Sequence, residues 1–147
     1  MTWSRIVVLG LSFVAAGIVA GQTIPKDKAV VYVYSYKHIK TMGRVAPPVY
    51  VDDKLLAKLD GERFFIVILD RGMHSFHLKE KKRGGIESEF KAGETYYVRL
   101  NMREGMTVGP AGLVLMPSEN GVFDIKEMKP IKKGDIKAPD IVFDALP

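Results

Sequence analysis

The chain has 147 residues, with 22 Lys and Arg, 17 Asp and Glu, and no cysteine. This length suits one domain with a sizeable core, and without cysteine the chain forms neither a disulfide nor a catalytic thiolate. The net charge of +5 comes from interspersed acids and bases, with no arginine-rich stripe carrying stacking aromatics, so the composition argues against nucleic-acid binding.

The first 21 residues have the order of a secretory signal peptide. Met1 to Arg5 carries a positive charge, Ile6 to Val19 is apolar, and Val19-Ala20-Gly21 offers small residues to a signal peptidase. We expect a mature N-terminus between Gly21 and Thr23 and export to the periplasm or the cell exterior. The alternative is an uncleaved membrane anchor, although the apolar run is shorter than the roughly 20 residues that a span needs. Gln22 stands where a lipid-bearing cysteine would follow, so we expect no lipid anchor.

Strand patterns dominate the first half of the mature chain. Ala29 to Tyr36 is nearly all β-branched and aromatic, which predicts a strand with valines on one face and tyrosines on the other. Val49 to Val51 and Leu55 to Leu59 flank Asp52-Asp53-Lys54, which predicts a tight hairpin. Arg63 to Leu69 is apolar on both alternating faces, which is typical of a central strand covered on both sides.

Four further strands are predicted at near-regular spacing, over Met73 to Lys79, Ile86 to Phe90, Thr95 to Met102 and Gly112 to Met116. The second of these alternates apolar residues with glutamates, as an outer strand does. Turns containing glycine separate the strands, as at Ala92-Gly93-Glu94. Roughly seven to eight short antiparallel strands favour an all-β fold of the β-sandwich type, with a small barrel as the alternative.

The pattern changes after Pro117. Ser118 is a candidate cap for a short helix in which Val122, Ile125 and Met128 recur on one face, although Gly121 weakens that helix. We therefore divide the chain into a signal peptide over 1–21, a β-sandwich domain over 22–131 and an extended C-terminal tail over 132–147. The tail's apolar cluster, Ile141, Val142 and Phe143, is expected to dock on the domain or on a partner.

Residues able to carry catalysis are sparse. His74 and His77 look like a metal pair, yet a three-residue separation on a strand sends their rings to opposite faces, so we predict no metal site. The serines lack a nucleophile-elbow pattern, and the close carboxylate pairs fall in a turn and on a solvent face. We therefore expect no catalytic residues and no cofactor.

A basic hairpin tip is the one charged cluster that stands out. Four of the five residues from Lys79 to Arg83 are basic, namely Lys79, Lys81, Lys82 and Arg83, and Gly84-Gly85 follows. The tip is a candidate contact for an anionic polymer of the cell envelope. The competing interpretation is a solvated turn that keeps the sheet soluble.

A set of ordered motifs resembles a known family. The motifs are Val49-Tyr50-Val51-Asp52, Ala57-Lys58-Leu59-Asp60-Gly61, Phe64-Phe65, Asp70-Arg71-Gly72-Met73-His74 and Ala92-Gly93-Glu94-Thr95-Tyr96-Tyr97-Val98-Arg99. Together they resemble the bacterial exported domain catalogued as domain of unknown function 2846, over about residues 28–131. The resemblance implies an all-β envelope protein, similar in its turns to PEGA and carboxypeptidase-regulatory-like modules, and it implies no catalytic residues. Asp53 stands where the family usually has glycine, so we expect a left-handed conformation there.

These features lead to two functional hypotheses. The first is an exported, non-catalytic envelope module that binds a partner protein or polymer through a sheet face or loops. The second is a structural accessory domain of an envelope complex that docks through its C-terminal tail. The sequence leaves the oligomeric state and the identity of the partner open.

Overall fold

The computed structural model of this chain describes residues 24–35, 46–59, 61–78, 85–101 and 112–147. These residues form strands and one short α-helix. In chain order the elements are β1 (Lys28–Ser35), β2 (Pro48–Val51), β3 (Lys54–Lys58), β4 (Arg63–Asp70), β5 (Gly72–His77), β6 (Ile86–Phe90), β7 (Thr95–Asn101), β8 (Gly112–Met116), α1 (Ser118–Ile125), β9 (Lys129–Pro130), a 3-10 helix (Lys133–Asp135) and β10 (Val142–Phe143).

The strands form two sheets that enclose one apolar core. The larger sheet has the order β10-β4-β1-β7-β8, with β9 also beside β4, and the smaller sheet has the order β3-β2-β5-β6. Buried side chains of both sheets, such as Val31, Phe65 and Phe76, belong to the same core cluster. The predicted all-β sandwich with a short C-terminal helix is therefore confirmed.

The centre of the larger sheet consists of the two most apolar segments of the sequence. β1 lies between β4 and β7, so that Val31 is opposite both Val67 and Tyr96. Val31 and Val67 are fully buried between the sheets, as the period-two pattern predicts. The prediction that Arg63 to Leu69 forms a central strand is confirmed, because β1 pairs with one edge of β4 and β10 with the other.

Two of the strand pairs are parallel, whereas the sequence patterns predicted antiparallel strands. β1 and β7 run parallel, and so do β4 and β9. Parallel neighbours need a long crossover connection, and here the chain builds all four strands of the smaller sheet between β1 and β7. Local hydrophobic periodicity carries no information about such a distant partner, so this feature was not predictable from the pattern.

The helix begins where the sequence placed it, but it ends at Ile125, so Met128 of the predicted apolar face lies beyond it, and it packs differently. Its N-cap position is Pro117 without any side-chain cap hydrogen bond, so Ser118 does not cap the helix. Gly121 is the buried residue of the helix, whereas Val122 is 54% exposed. The predicted apolar face is therefore not the face by which α1 packs against the sheet.

The C-terminal segment 132–147 is part of the domain rather than a separate extended tail. The backbone N–H groups of Lys137 and Ala138 donate to the carbonyl of Leu56 in β3, and that of Ile68 in β4 donates to the carbonyl of Ile141. Val142 pairs with Val67 and is only 2% exposed. The segment therefore contacts both sheets along one side of the sandwich. We expected its apolar cluster to dock either on the domain or on a partner, and it docks on the domain.

The only α-helix in the described ranges, α1, has eight residues. Within those ranges, which leave out 1–23, no helix combines the length and the hydropathy that a membrane span requires.

Candidate interaction surface

Of the two segments that the sequence predicts as binding sites, the structure describes only the C-terminal one. The basic tip residues Lys79, Lys81, Lys82 and Arg83 lie outside the described residues. In the apolar cluster of the C-terminal segment, Ile141 and Phe143 are half-buried and Val142 is buried, next to β4. The apolar side chain of Val142 thus serves the core of its own domain.

His74 and His77 hold the first hairpin against β5. The ring nitrogens of His74 lie 2.8 Å from a carboxylate oxygen of Asp52 and 2.8 Å from the carbonyl oxygen of Asp70. His77 is fully buried on the other face of β5, where it stacks on the Tyr50 ring at 5.2 Å and contacts the Asp52 carbonyl oxygen at 2.5 Å. The imidazoles diverge as the strand geometry predicts, and both contribute to packing.

Asp52 also explains the conformation of the turn between β2 and β3. Its φ is +52°, so the left-handed residue of this turn is Asp52 and not Asp53, which corrects the sequence-based expectation. The Asp52 carboxylate accepts the N–H of Ser75 at 3.1 Å, and the Asp52 N–H donates to the Ser75 carbonyl at 2.7 Å. These bonds to β5 offset the modest cost of a left-handed aspartate.

Within the described part of the chain, no three His, Cys, Asp or Glu side chains lie close enough together to hold a metal ion.

Helix α1 is attached to the outer face of the larger sheet by small and polar contacts. Gly121 lies directly on the ring of Tyr97, so close that an added Cβ would stand 2.1 Å from its Cγ. One turn later, the Asp124 carboxylate accepts the phenol O–H of Tyr34 at 2.6 Å and lies 3.6 Å from the Arg99 guanidinium. Burial and the hydrogen bond to Asp124 raise the pKa of Tyr34 well above its usual value.

This attachment turns two of the three large apolar side chains of the helix outward, while Ile125 is half-buried. Phe123 is 75% exposed and Val122 is 54% exposed. Val114 on the neighbouring strand β8 is 38% exposed and pairs with Arg99, so it lies on the same face of the sheet as the helix. We call Val114, Val122 and Phe123 the α1 surface. Surface helices normally present polar residues to water, so this reversed polarity marks a candidate interaction surface.

A row of apolar side chains continues from the α1 surface across the larger sheet. In strand order it consists of Phe143, Ile66, Tyr32, Tyr97 and Met116, which are successive cross-strand neighbours. The rings of Tyr32 and Tyr97 stack at 5.3 Å. Three members of the row, Phe143, Tyr32 and Met116, are half-buried, so this row is apolar from one edge of the larger sheet to the other and is partly accessible.

The α1 surface was not found by sequence reasoning. The three-residue recurrence of Val122, Ile125 and Met128 was interpreted as the packing face, and Phe123 was not singled out. The signal that points to the opposite orientation is the pair Gly121 and Asp124, which recurs at the same helical spacing. Its meaning depends on Tyr97 and Tyr34, which are distant in sequence.

The hydrogen bond between Tyr34 and Asp124 gives the first prediction. Tyr34→Phe should lower the free energy of unfolding by about 1–2 kcal/mol, because a buried hydrogen bond to a carboxylate is lost. Since the pKa of Tyr34 is raised in the folded state, the advantage of the wild type is complete below the unfolded phenol pKa of about 10 and declines as the pH rises above it. Urea unfolding at about pH 8 and pH 11 measures both effects. An advantage over the variant that stays equal at the two pH values would contradict the assignment.

Comparison with protein-family models, with curated proteins and with solved structures finds no match to this chain. The fold and the site therefore define its class directly: an all-β sandwich with a short helix that presents apolar side chains outward.

Proposed function

We propose that this protein is an exported, non-catalytic module of the bacterial cell envelope that binds a partner protein through the α1 surface. The observation that carries the proposal is the orientation of α1, which buries Gly121, leaves the side chain of Asp124 only 10% exposed, and exposes Phe123 and Val122. A surface with this composition gains free energy when another protein covers it. Full burial of one large apolar side chain is worth about 1.5–3 kcal/mol.

The chemistry of the described residues supports a binding role over a catalytic one. Both ring nitrogens of His74 are within hydrogen-bond distance of oxygen atoms of the protein itself. A general base needs a ring nitrogen that a substrate can reach, and the side chain of His77 is fully buried. His74 and His77 therefore serve the fold in this proposal.

Export rests on the sequence of the first 21 residues. A charged start, an apolar run and small residues before Gln22 are the parts of a cleavable signal. The resemblance to domain of unknown function 2846 agrees with an envelope location. In this proposal the mature domain acts outside the cytoplasm, and without cysteine its fold does not depend on disulfide formation there.

The test is affinity capture from the envelope fraction of the source organism with two variants. Val122→Ser combined with Phe123→Ser should lose a partner protein that the wild type retains, because the apolar contact is removed while the fold is untouched. Leu146→Ser is the matched control, since Leu146 is also apolar and 48% exposed but lies outside the α1 surface. The mass of the protein purified from the same fraction reports whether the signal has been cleaved.

The proposal fails if the double variant retains every protein that the wild type retains. It also fails if Leu146→Ser causes the same losses, because nonspecific hydrophobic binding would then explain the capture. Equal thermal unfolding temperatures of the wild type and both variants show that the comparison is between folded proteins.

A further inference from the structure

The smaller sheet carries a groove at the end of β5 and β6, on the opposite sheet from the one that carries α1. It has a volume of about 450 Å³ and is lined by Arg71, Gly72, Glu89, Phe90, Lys91 and Ala92. Ligand sites commonly have volumes of about 300–1,000 Å³, so the groove is large enough for a sugar-sized group.

Two cations, Arg71 and Lys91, line this groove. Gly72 and Phe90 are the last paired residues of the β5–β6 ladder. Arg71 comes directly before β5, and Lys91 comes directly after β6. Both side chains belong to exposed residues. With two cations and one carboxylate among its lining residues, the groove has a positive potential that favours an anion.

The nearby acids are occupied with other groups. The Asp70 carboxylate is paired with the Lys28 ammonium, which lowers the pKa of Asp70, and Glu94 accepts the phenol O–H of Tyr96 at 2.9 Å. Within the described part of the chain, Arg71 and Lys91 make neither an ion pair nor a side-chain hydrogen bond. Glu89 is the one carboxylate that lines the groove, which leaves a formal net charge of plus one among its lining residues.

We propose that this groove binds a single anionic group, a carboxylate or a phosphate, carried by a small molecule or by a unit of an envelope glycan. The Arg71 guanidinium provides a planar pair of donors that matches either group, and the Lys91 ammonium adds a point charge from the residue after β6. The carboxylate of Glu89 limits the charge that the site accepts, so a densely charged polyanion is not its ligand. This site is separate from the α1 surface, and its test does not depend on whether the proposed partner protein exists.

The test is a titration of the full-length protein at low ionic strength, in which binding is measured from the NMR chemical shifts of the backbone amides. The probes are glucose 6-phosphate, glucuronate and neutral glucose, which share a ring and differ in charge. We expect saturable shifts at the amides of Gly72, Phe90 and Ala92 with at least one anionic sugar and none with glucose. The anion that binds identifies the source, phosphate or carboxylate. Equal shifts with glucose, or no shift at these amides with any probe, would overturn the proposal.

Variants of the two cations decide whether they hold the anion. Arg71→Gln and Lys91→Gln should each weaken binding by about three- to fivefold, as expected for exposed charge pairs. Lys129→Gln is the matched control, because Lys129 is an exposed lysine beside the other end of β4. Unchanged affinity in both groove variants, or an equal loss in Lys129→Gln, would show that the shifts arise from nonspecific charge screening.

Discussion

Val67→Asp is expected to destabilise the domain by about 3 kcal/mol or more, which is a large part of the stability of a domain of this size. Val67 is fully buried in the central strand β4, between Val31 of β1 and Val142 of β10. A carboxylate at this position would lie in the apolar core without a hydrogen-bond partner. The midpoint of urea unfolding, or loss of the folded state at room temperature, measures the effect.

Thr95→Asp is the matched control for this substitution. It introduces the same carboxylate into a strand, but Thr95 is exposed at the start of β7. The cost should remain within about 1 kcal/mol, because the new charge stays in water and only strand propensity changes. Similar losses from the two substitutions would contradict the placement of β4 at the centre of the sandwich.

Gly121→Ala is expected to destabilise the protein by about 1–3 kcal/mol, although the same change in an ordinary helix stabilises by about 1 kcal/mol. The sign reverses because the added Cβ would stand 2.1 Å from Cγ and 2.4 Å from Cβ of Tyr97. The helix must move away from the sheet, which also strains the hydrogen bond between Tyr34 and Asp124. Thermal unfolding and the fluorescence of the tyrosines report the two changes.

Gly134→Ala provides the comparison for the same chemical change. No atom lies within 4 Å of the Cβ that alanine would add at Gly134. We therefore expect a neutral or slightly stabilising effect there. If Gly121→Ala were stabilising as well, the close contact between α1 and Tyr97 would be refuted, and with it the reason for the outward orientation of Phe123.

The strands were predictable because their information is local. A strand alternates its side chains with a period of two, so the sequence of β1 places Val31 and Val33 on one face and Tyr32 and Tyr34 on the other without reference to any partner. The same holds for β6, where Glu87 and Glu89 are exposed as the alternation predicts. Glycine marks the turn between β6 and β7, where Gly93 has a φ of +76°.

Partner choice was not predictable because it depends on residues far apart in the chain. Nothing in the sequence of β1 indicates that it pairs in parallel with β7, and nothing in Val142 indicates that it pairs with Val67 of β4. The C-terminal segment looked like a tail because its two prolines, its one glycine and its charges are typical of loops. Its backbone hydrogen bonds to β3 and β4 make it part of the domain.

The sequence by itself determined the positions of most strands, the short helix and the all-β class, since each follows from periodicity and turn chemistry within a few residues. Only the tertiary structure decided which face of α1 meets the sheet, because that depends on the contact of Gly121 with the ring of Tyr97 and on the bond from Tyr34 to Asp124. The same is true of the groove, where Arg71 and Lys91 become neighbours through the pairing of β5 with β6. Both candidate sites are thus products of long-range packing, in which residues that are unremarkable in the linear sequence acquire a shared surface.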